Sequence, residues 1–204
     1  MIRVYRIPFS TNVERVALTL AHKGLPVEWV DVDPADRAEV VRVSGQALVP
    51  VLEHGERTLV DSPAILEYLE GQFPQPPLLP NDPALRAEVR IFCDWFNRVW
   101  KRPPNLIVAE EAKAEPESGV LAALGEQLAG SLQLFEDLLA GREFLFEELS
   151  LADVTAFPFL KYRLLCTEGD PDRFHEVLRN HLQVAGRCPR LDAWIGRVDA
   201  LPRA

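Results

Sequence analysis

The stretch PQPPLLPNDP, residues 74–83, constrains the fold of this chain more than any other ten residues. Its five prolines remove backbone donors and fix φ, so it can neither prolong a helix nor lie inside a sheet. An extended connector is what remains. The chain is therefore read as a domain over residues 1–76, a linker over 77–83 and a second domain over 84–204.

The two sides of the linker differ in texture. Before it, short β-rich runs alternate with helical ones, as in an α/β unit. IRVYRI reads as a strand. VERVALTLAHKG places Val13, Val16, Ala17, Leu20 and Ala21 on one helical face, with Gly24 as a stop. VEWVDVD is a second strand and PADRAEVVRVS a mostly polar helix. VPVLEHGERTLVDS is a hairpin signal around a His-Gly turn. SPAILEYLEGQF opens a helix with Ser62 as expected N-cap and Pro63 at its first position. The order is β-α-β-α-β-β-α. Beyond the linker the patterns are helical: residues 83–102, 117–139, 150–166, 171–184 and 189–198. Within them, Ser150 and Asp153 form an S-x-x-D capping box ahead of an apolar run, a structural role without chemistry.

Composition narrows the partners. Asp and Glu outnumber Lys and Arg 31 to 22, for a net charge of -9, which repels nucleic acid and anionic membrane. Cys93, Cys166 and Cys188 are widely spaced without a Cys-x-x-Cys pair, the pattern of reduced thiols rather than of a disulfide framework or metal site. MIRVYRIPF carries charges at Arg3 and Arg6 and no secretory apolar core, and no segment approaches the roughly 20 apolar residues of a membrane span. A soluble, cytoplasmic protein is expected.

Few residues invite chemistry. His22, His54, His175 and His181 are not spaced as paired ligands on one helix face, and no phosphate loop, G-x-S-x-G or H-E-x-x-H is present. Three places remain. In PFSTNVERV a hydroxyl stands where a strand meets a helix; Thr11 with Glu14 reads as a T-x-x-E capping box, which leaves Ser10 just outside the helix. In VPV, a trans Val49-Pro50 bond is the default, whereas a cis bond would leave the Val49 N–H and C=O free for an extended ligand. Asp61-Ser62 opens a helix and is either a plain N-cap or a seat for an amino-acid head group. In the second case the helix N-terminus holds the carboxylate and Asp61 the amine.

The ordered set of these features, with LVPVLEHG, TLVDSPAILEYL, the proline-rich linker, SLADVTAFP and CPRLDAWIGRV, resembles the cytosolic glutathione transferases across essentially the whole chain. The resemblance implies an N-terminal thioredoxin-like domain and a C-terminal helical bundle, α/β plus all-α, with Val49-Pro50 cis. It implies glutathione as cosubstrate, no metal, Val49 and Pro50 against its cysteinyl part, and Asp61 and Ser62 on its γ-glutamyl end. Thr11 and Arg37 complete the expected binding residues, with Arg42 as the alternative to Arg37 for the glycyl carboxylate.

STNVER is similar to the activating motifs of the bacterial, omega-like and zeta-like branches, which makes Ser10 the expected catalytic residue. Thr11 and Asn12 depart from those motifs. Serine cannot form a mixed disulfide, so conjugation or glutathione-assisted isomerisation is expected, on a small apolar electrophile bound between the domains of a homodimer. Phe92, Trp95, Phe96 and Trp100 are read either as surface for that electrophile or as core. The alternative is a binding or regulatory protein that keeps the fold without conjugation.

Overall fold

The computed structural model describes residues 1–183 and 186–204. They form two compact units, residues 1–79 with 201–204, and residues 80–200.

The first unit runs β1 (Ile2–Arg6), α1 (Thr11–His22), β2 (Val27–Asp31), α2 (Ala38–Ser44), β3 (Val51–His54), β4 (Arg57–Val60) and α3 (Ser62–Gln72). Its sheet has the order β2-β1-β3-β4, with β1 and β2 parallel and the other pairs antiparallel. This is the expected thioredoxin-like β-α-β-α-β-β-α arrangement. Val4, Val51 and Leu52 from the strands and Val16, Leu20, Ile65 and Leu69 from α1 and α3 are fully buried, as the helical and alternating patterns require. The hairpin turns at Gly55, whose φ of 63° suits a residue without Cβ.

Register decides where the loops meet. Tyr5, near the C-terminal end of β1, pairs with Val51, and Val51 pairs with Val60. The start of α1, the residues before β3 and the start of α3 therefore lie at one end of the sheet.

The proline-rich stretch is less free than its composition suggests. Leu78 and Leu79 are buried, and their N–H groups donate to the Glu70 carboxylate at 3.1 Å. Lys23, its side chain wholly enclosed, donates to Glu70 at 2.6 Å and to the carbonyls of Phe73 at 2.7 Å and Pro76 at 3.0 Å. A buried, fully satisfied ion pair thus fastens residues 73–79 to the first unit. Gln75-Pro76 is cis.

The second unit contains α4 (Pro83–Trp95), α5 (Arg102–Glu111), α6 (Ser118–Gly130), α7 (Leu132–Leu138), α8 (Leu151–Leu160), α9 (Arg173–Leu182) and α10 (Pro189–Asp199). It departs from the sequence reading in four places. The first long helix gives way to a π-turn at Phe96–Trp100, where the Lys101 N–H reaches the Phe96 carbonyl five residues back at 3.0 Å. α5 then begins at Arg102, and Pro103 and Pro104, which look like stops, occupy its first turn, where a missing N–H costs nothing. The helix expected over 117–139 is broken at Ser131, and the one expected over 150–166 ends in a 3₁₀ turn at Lys161–Arg163. The final residue expected for the helix over 171–184 lies outside the described residues.

α8 is buried along its whole length. The expected capping box is present: Ser150 N–H donates to Asp153 Oδ2 at 2.9 Å, and Ser150 Oγ accepts from the Ala152 N–H at 3.2 Å. Asp153 also accepts from the Leu145 N–H at 2.9 Å and the Trp194 indole at 2.8 Å. Burial pushes its carboxyl up, against the pull of these donors. Phe92, Phe96 and Trp100 are buried, with Phe96 stacked on Trp100 at 4.5 Å and edge-on to Phe135 and Phe159. Of the two readings of these rings, core is the one they satisfy within this unit.

Candidate active site

α1 begins differently from its capping-box reading. Ser10, not Thr11, is the N-cap: Ser10 is extended and its Oγ accepts from the Val13 N–H at 3.3 Å. Thr11 is the first helical residue and is buried. Glu14 pairs with Arg203 at 2.9 Å instead of closing a box. The geometry explains the preference. Phe9, at φ 61°, turns the chain so sharply after β1 that the hydroxyl one position earlier reaches the third N–H of the helix. Ser10 is half-buried, and in accepting from Val13 it keeps its own O–H proton for a further acceptor.

α3 shows a parallel correction. Asp61, not Ser62, is its N-cap, and Ser62 and Pro63 form the first helical positions. Asp61 sits at φ 70° and its side chain makes no capping bond. The carboxylate is exposed and takes no hydrogen-bond or ion-pair partner among the described residues. The opening N–H groups of α3 are thus left without a side-chain acceptor, a ready seat for an anion. Only three non-glycine residues among those described have positive φ, and Phe9 and Asp61 are two of them. Strain of this kind gathers where function holds it in place.

Ser62 is buried and joins the two helix starts. Its Oγ accepts from Arg15 Nη1 at 3.1 Å and donates to Asn12 Oδ1 at 3.2 Å, while Arg15 Nη1 also reaches Asn12 Oδ1 at 3.3 Å. Arg15 is almost wholly buried. Asn12, a departure from the activating motifs, is therefore a tie between α1 and α3. Sequence reasoning missed this role because the partner lies 50 residues away.

The Val49-Pro50 bond is cis. Val49 precedes β3 and lies outside the ladder, so its N–H and C=O take no backbone partner among the described residues. Arg37 caps the start of α2, where its Nη1 donates to the Ala47 carbonyl at 3.0 Å and its Nε to the Pro34 carbonyl at 3.2 Å. Arg42 is exposed and approaches Glu39 at 3.8 Å. Arg37 is the one of the two tied to the loop before Val49.

Sheet register thus gathers Ser10, Val49-Pro50 and Asp61-Ser62 at one end of the first unit. A peptide-like ligand would find there a main-chain pair at Val49, an acid at Asp61 and two helix N-termini. The Tyr5 hydroxyl belongs elsewhere, donating to Glu53 at 2.9 Å. An apolar cavity of about 680 Å³ opens at the opposite end of the sheet, lined by Met1, Ile2, Leu25, Val27, His54 and Phe73, and is not this site. No group of three or more His, Cys, Asp or Glu that could hold a metal exists among the described residues. No helix among them is long and apolar enough to cross a membrane.

The profile of the glutathione S-transferase N-terminal domain matches residues 4–77. A stringent starvation protein A homolog of Haemophilus influenzae is 31% identical over 147 residues, 72% of this chain and 67% of that protein. Glutathione S-transferase GstB of Escherichia coli K12 is 29% identical over 161 residues, 74% of this chain and 77% of that one. The chain belongs to the glutathione transferase family. A solved glutathione S-transferase from Rhodospirillum rubrum F11 superposes with a TM-score of 0.72 at 28% identity, covering 98% of this chain and 88% of that one. Within this family fold, Ser10 stands at the start of α1 and Val49-Pro50 immediately before β3.

Proposed function

We propose that the protein is a glutathione transferase in which Ser10 activates the thiol of glutathione for attack on a small apolar electrophile. The observation that carries this reading is the meeting of three complementary groups at one end of the sheet: Ser10 at the N-terminus of α1, the open main chain of Val49 and the unpartnered Asp61 carboxylate. Val49 pairs with the cysteinyl backbone, Asp61 takes the γ-glutamyl ammonium, and the start of α3 takes its carboxylate. Thr11 and Pro50 shape the wall of the site. Arg37 lies toward the glycyl carboxylate.

The chemistry follows from charge. A thiol of pKa about 8.5 is only a few per cent thiolate at pH 7, and lowering it by about two units makes roughly three quarters of it nucleophilic. That shift requires about 2.7 kcal/mol of selective thiolate stabilisation. A hydrogen bond to an anion supplies about 1.5–3 kcal/mol and a helix N-terminus about 0.3–1 kcal/mol. Ser10 donates its proton into that bond without ionising. The thiol proton leaves to solvent and the sulfur forms a bond to the electrophilic carbon. In conjugation a leaving group departs with its electron pair; in isomerisation the same carbon–sulfur bond later breaks and releases glutathione.

The branch is that with serine at the activating position, and the working form is a cytoplasmic homodimer. Calorimetric titration with glutathione tests the reading: the parent binds, and Asp61→Ala removes most of the affinity. Absence of heat for the parent would end it.

A second reading is a binding or regulatory protein without turnover, favoured by the likeness to a relative whose name is not that of a transferase. It is supported if glutathione binds, no electrophile of a broad panel is turned over, and Ser10→Ala leaves affinity unchanged.

A further inference from the structure

Residues 46–48 have no regular secondary structure, yet the carbonyls of Ala47 and Leu48 each accept from a side chain. Ser44 Oγ lies 2.9 Å from the Gln46 carbonyl, and Arg37 Nη1 donates to the Ala47 carbonyl at 3.0 Å. Gln46 Nε2 donates to the Leu48 carbonyl at 2.8 Å, while Gln46 Oε1 accepts from the Leu48 N–H. One amide side chain therefore takes both main-chain groups of Leu48, as a neighbouring strand would. Gln46 is itself steadied by Ser44, whose Oγ accepts from Nε2 at 3.4 Å and is anchored to the Val40 carbonyl at 2.7 Å. The next residue is Val49, whose main-chain groups are left open.

Loops ordinarily satisfy such groups with water and remain mobile. A segment whose next residue must present its main chain to a ligand cannot do so cheaply, because ordering it at the moment of binding subtracts from affinity. Here the ordering is done in advance.

We propose that Gln46 is a positioning residue for glutathione: its amide clamps Leu48 so that Val49 is preset to pair with the cysteinyl main chain. The inference rests on the glutathione reading above and adds a residue to it. Gln46 does not touch the ligand. Its effect is on binding, whereas the acidity of the bound thiol belongs to Ser10. Leu48, 73% exposed, has little packing to hold it in place of the clamp.

The test is Gln46→Met, which keeps the length of the side chain and removes both polar bonds. Amide exchange of Leu48 in the free protein should accelerate at least about tenfold, and the glutathione Kd should rise about tenfold. The KM for glutathione should follow the Kd while kcat and the pKa of the bound thiol hold. An unchanged Kd, unaltered Leu48 exchange, or a thiol pKa that moves together with the Kd overturns the clamp while leaving glutathione binding by the parent intact. A parent that fails to bind glutathione overturns the underlying reading and the positioning role with it, whatever the exchange shows.

Discussion

Lys23→Met should be among the most damaging single substitutions in the first unit, although it touches no residue of the site. Lys23 Nζ meets three acceptors, at 2.6 Å on Glu70, 2.7 Å on Phe73 and 3.0 Å on Pro76, in a pocket that leaves its side chain no exposure. Methionine fills the same volume but strands the Glu70 carboxylate, which is 10% exposed, and two carbonyls. Removing one partner of a buried pair costs about 3–5 kcal/mol, against about 0–1 kcal/mol for an exposed one. With a urea slope of about 2 kcal/mol/M, the unfolding midpoint should fall by roughly 1.5–2.5 M. Adding Glu70→Gln to the variant should restore part of the loss. A neutral amide is cheaper to bury, and its oxygen can still accept from the Leu78 and Leu79 N–H groups. Urea titrations followed by circular dichroism give all three midpoints. A shift below about 0.5 M for Lys23→Met, the size of a surface pair, would refute the account of how residues 73–79 are held.

Two further outcomes test smaller parts of the structure. Burial lowers the pKa of His22, partly offset by its contact with the Pro77 carbonyl, so the folded state favours the neutral ring. Its contribution to stability is full above about pH 6.5 and is lost as the pH falls below that value; His22→Gln should flatten this slope in urea titrations at pH 5.5 and 7.5. In α10, Gly196→Ala should raise stability by about 0.5–1 kcal/mol because nothing lies within 4 Å of the new Cβ. In α6, Gly125→Ala should lose that gain and more, because its Cβ would stand 2.5 Å from the His181 ring; thermal melts separate the two.

The elements of the first unit were legible because their patterns are local. Alternation in IRVYRI and the apolar stripe of α1 each point to one structure, and a Gly-centred hairpin joins β3 to β4. The caps were misplaced by one residue at both α1 and α3, for one physical reason. Positive φ at Phe9 and Asp61 sets which residue begins the helix, and no side-chain pattern announces a strained non-glycine residue. In the second unit the prolines at 103 and 104 concealed α5, since the same residue type closes one helix and opens the next. Of the candidate site, Ser10 and the Val49-Pro50 and Asp61-Ser62 pairs were named from order and resemblance. The ties that position them were not: Asn12 and Ser62 stand 50 positions apart, and the contact of Arg37 with Ala47 depends on a loop path.

The central claim is that Ser10, placed at the N-terminus of α1, stabilises the thiolate of bound glutathione. Ultraviolet titration of the thiolate in the complex reads this directly. The parent should ionise bound glutathione about two units below the free thiol, and Ser10→Ala should move the midpoint back up by about one to two units, the value of one hydrogen bond to an anion. A midpoint that is the same in both proteins, or that equals that of the free thiol in the parent, would contradict it.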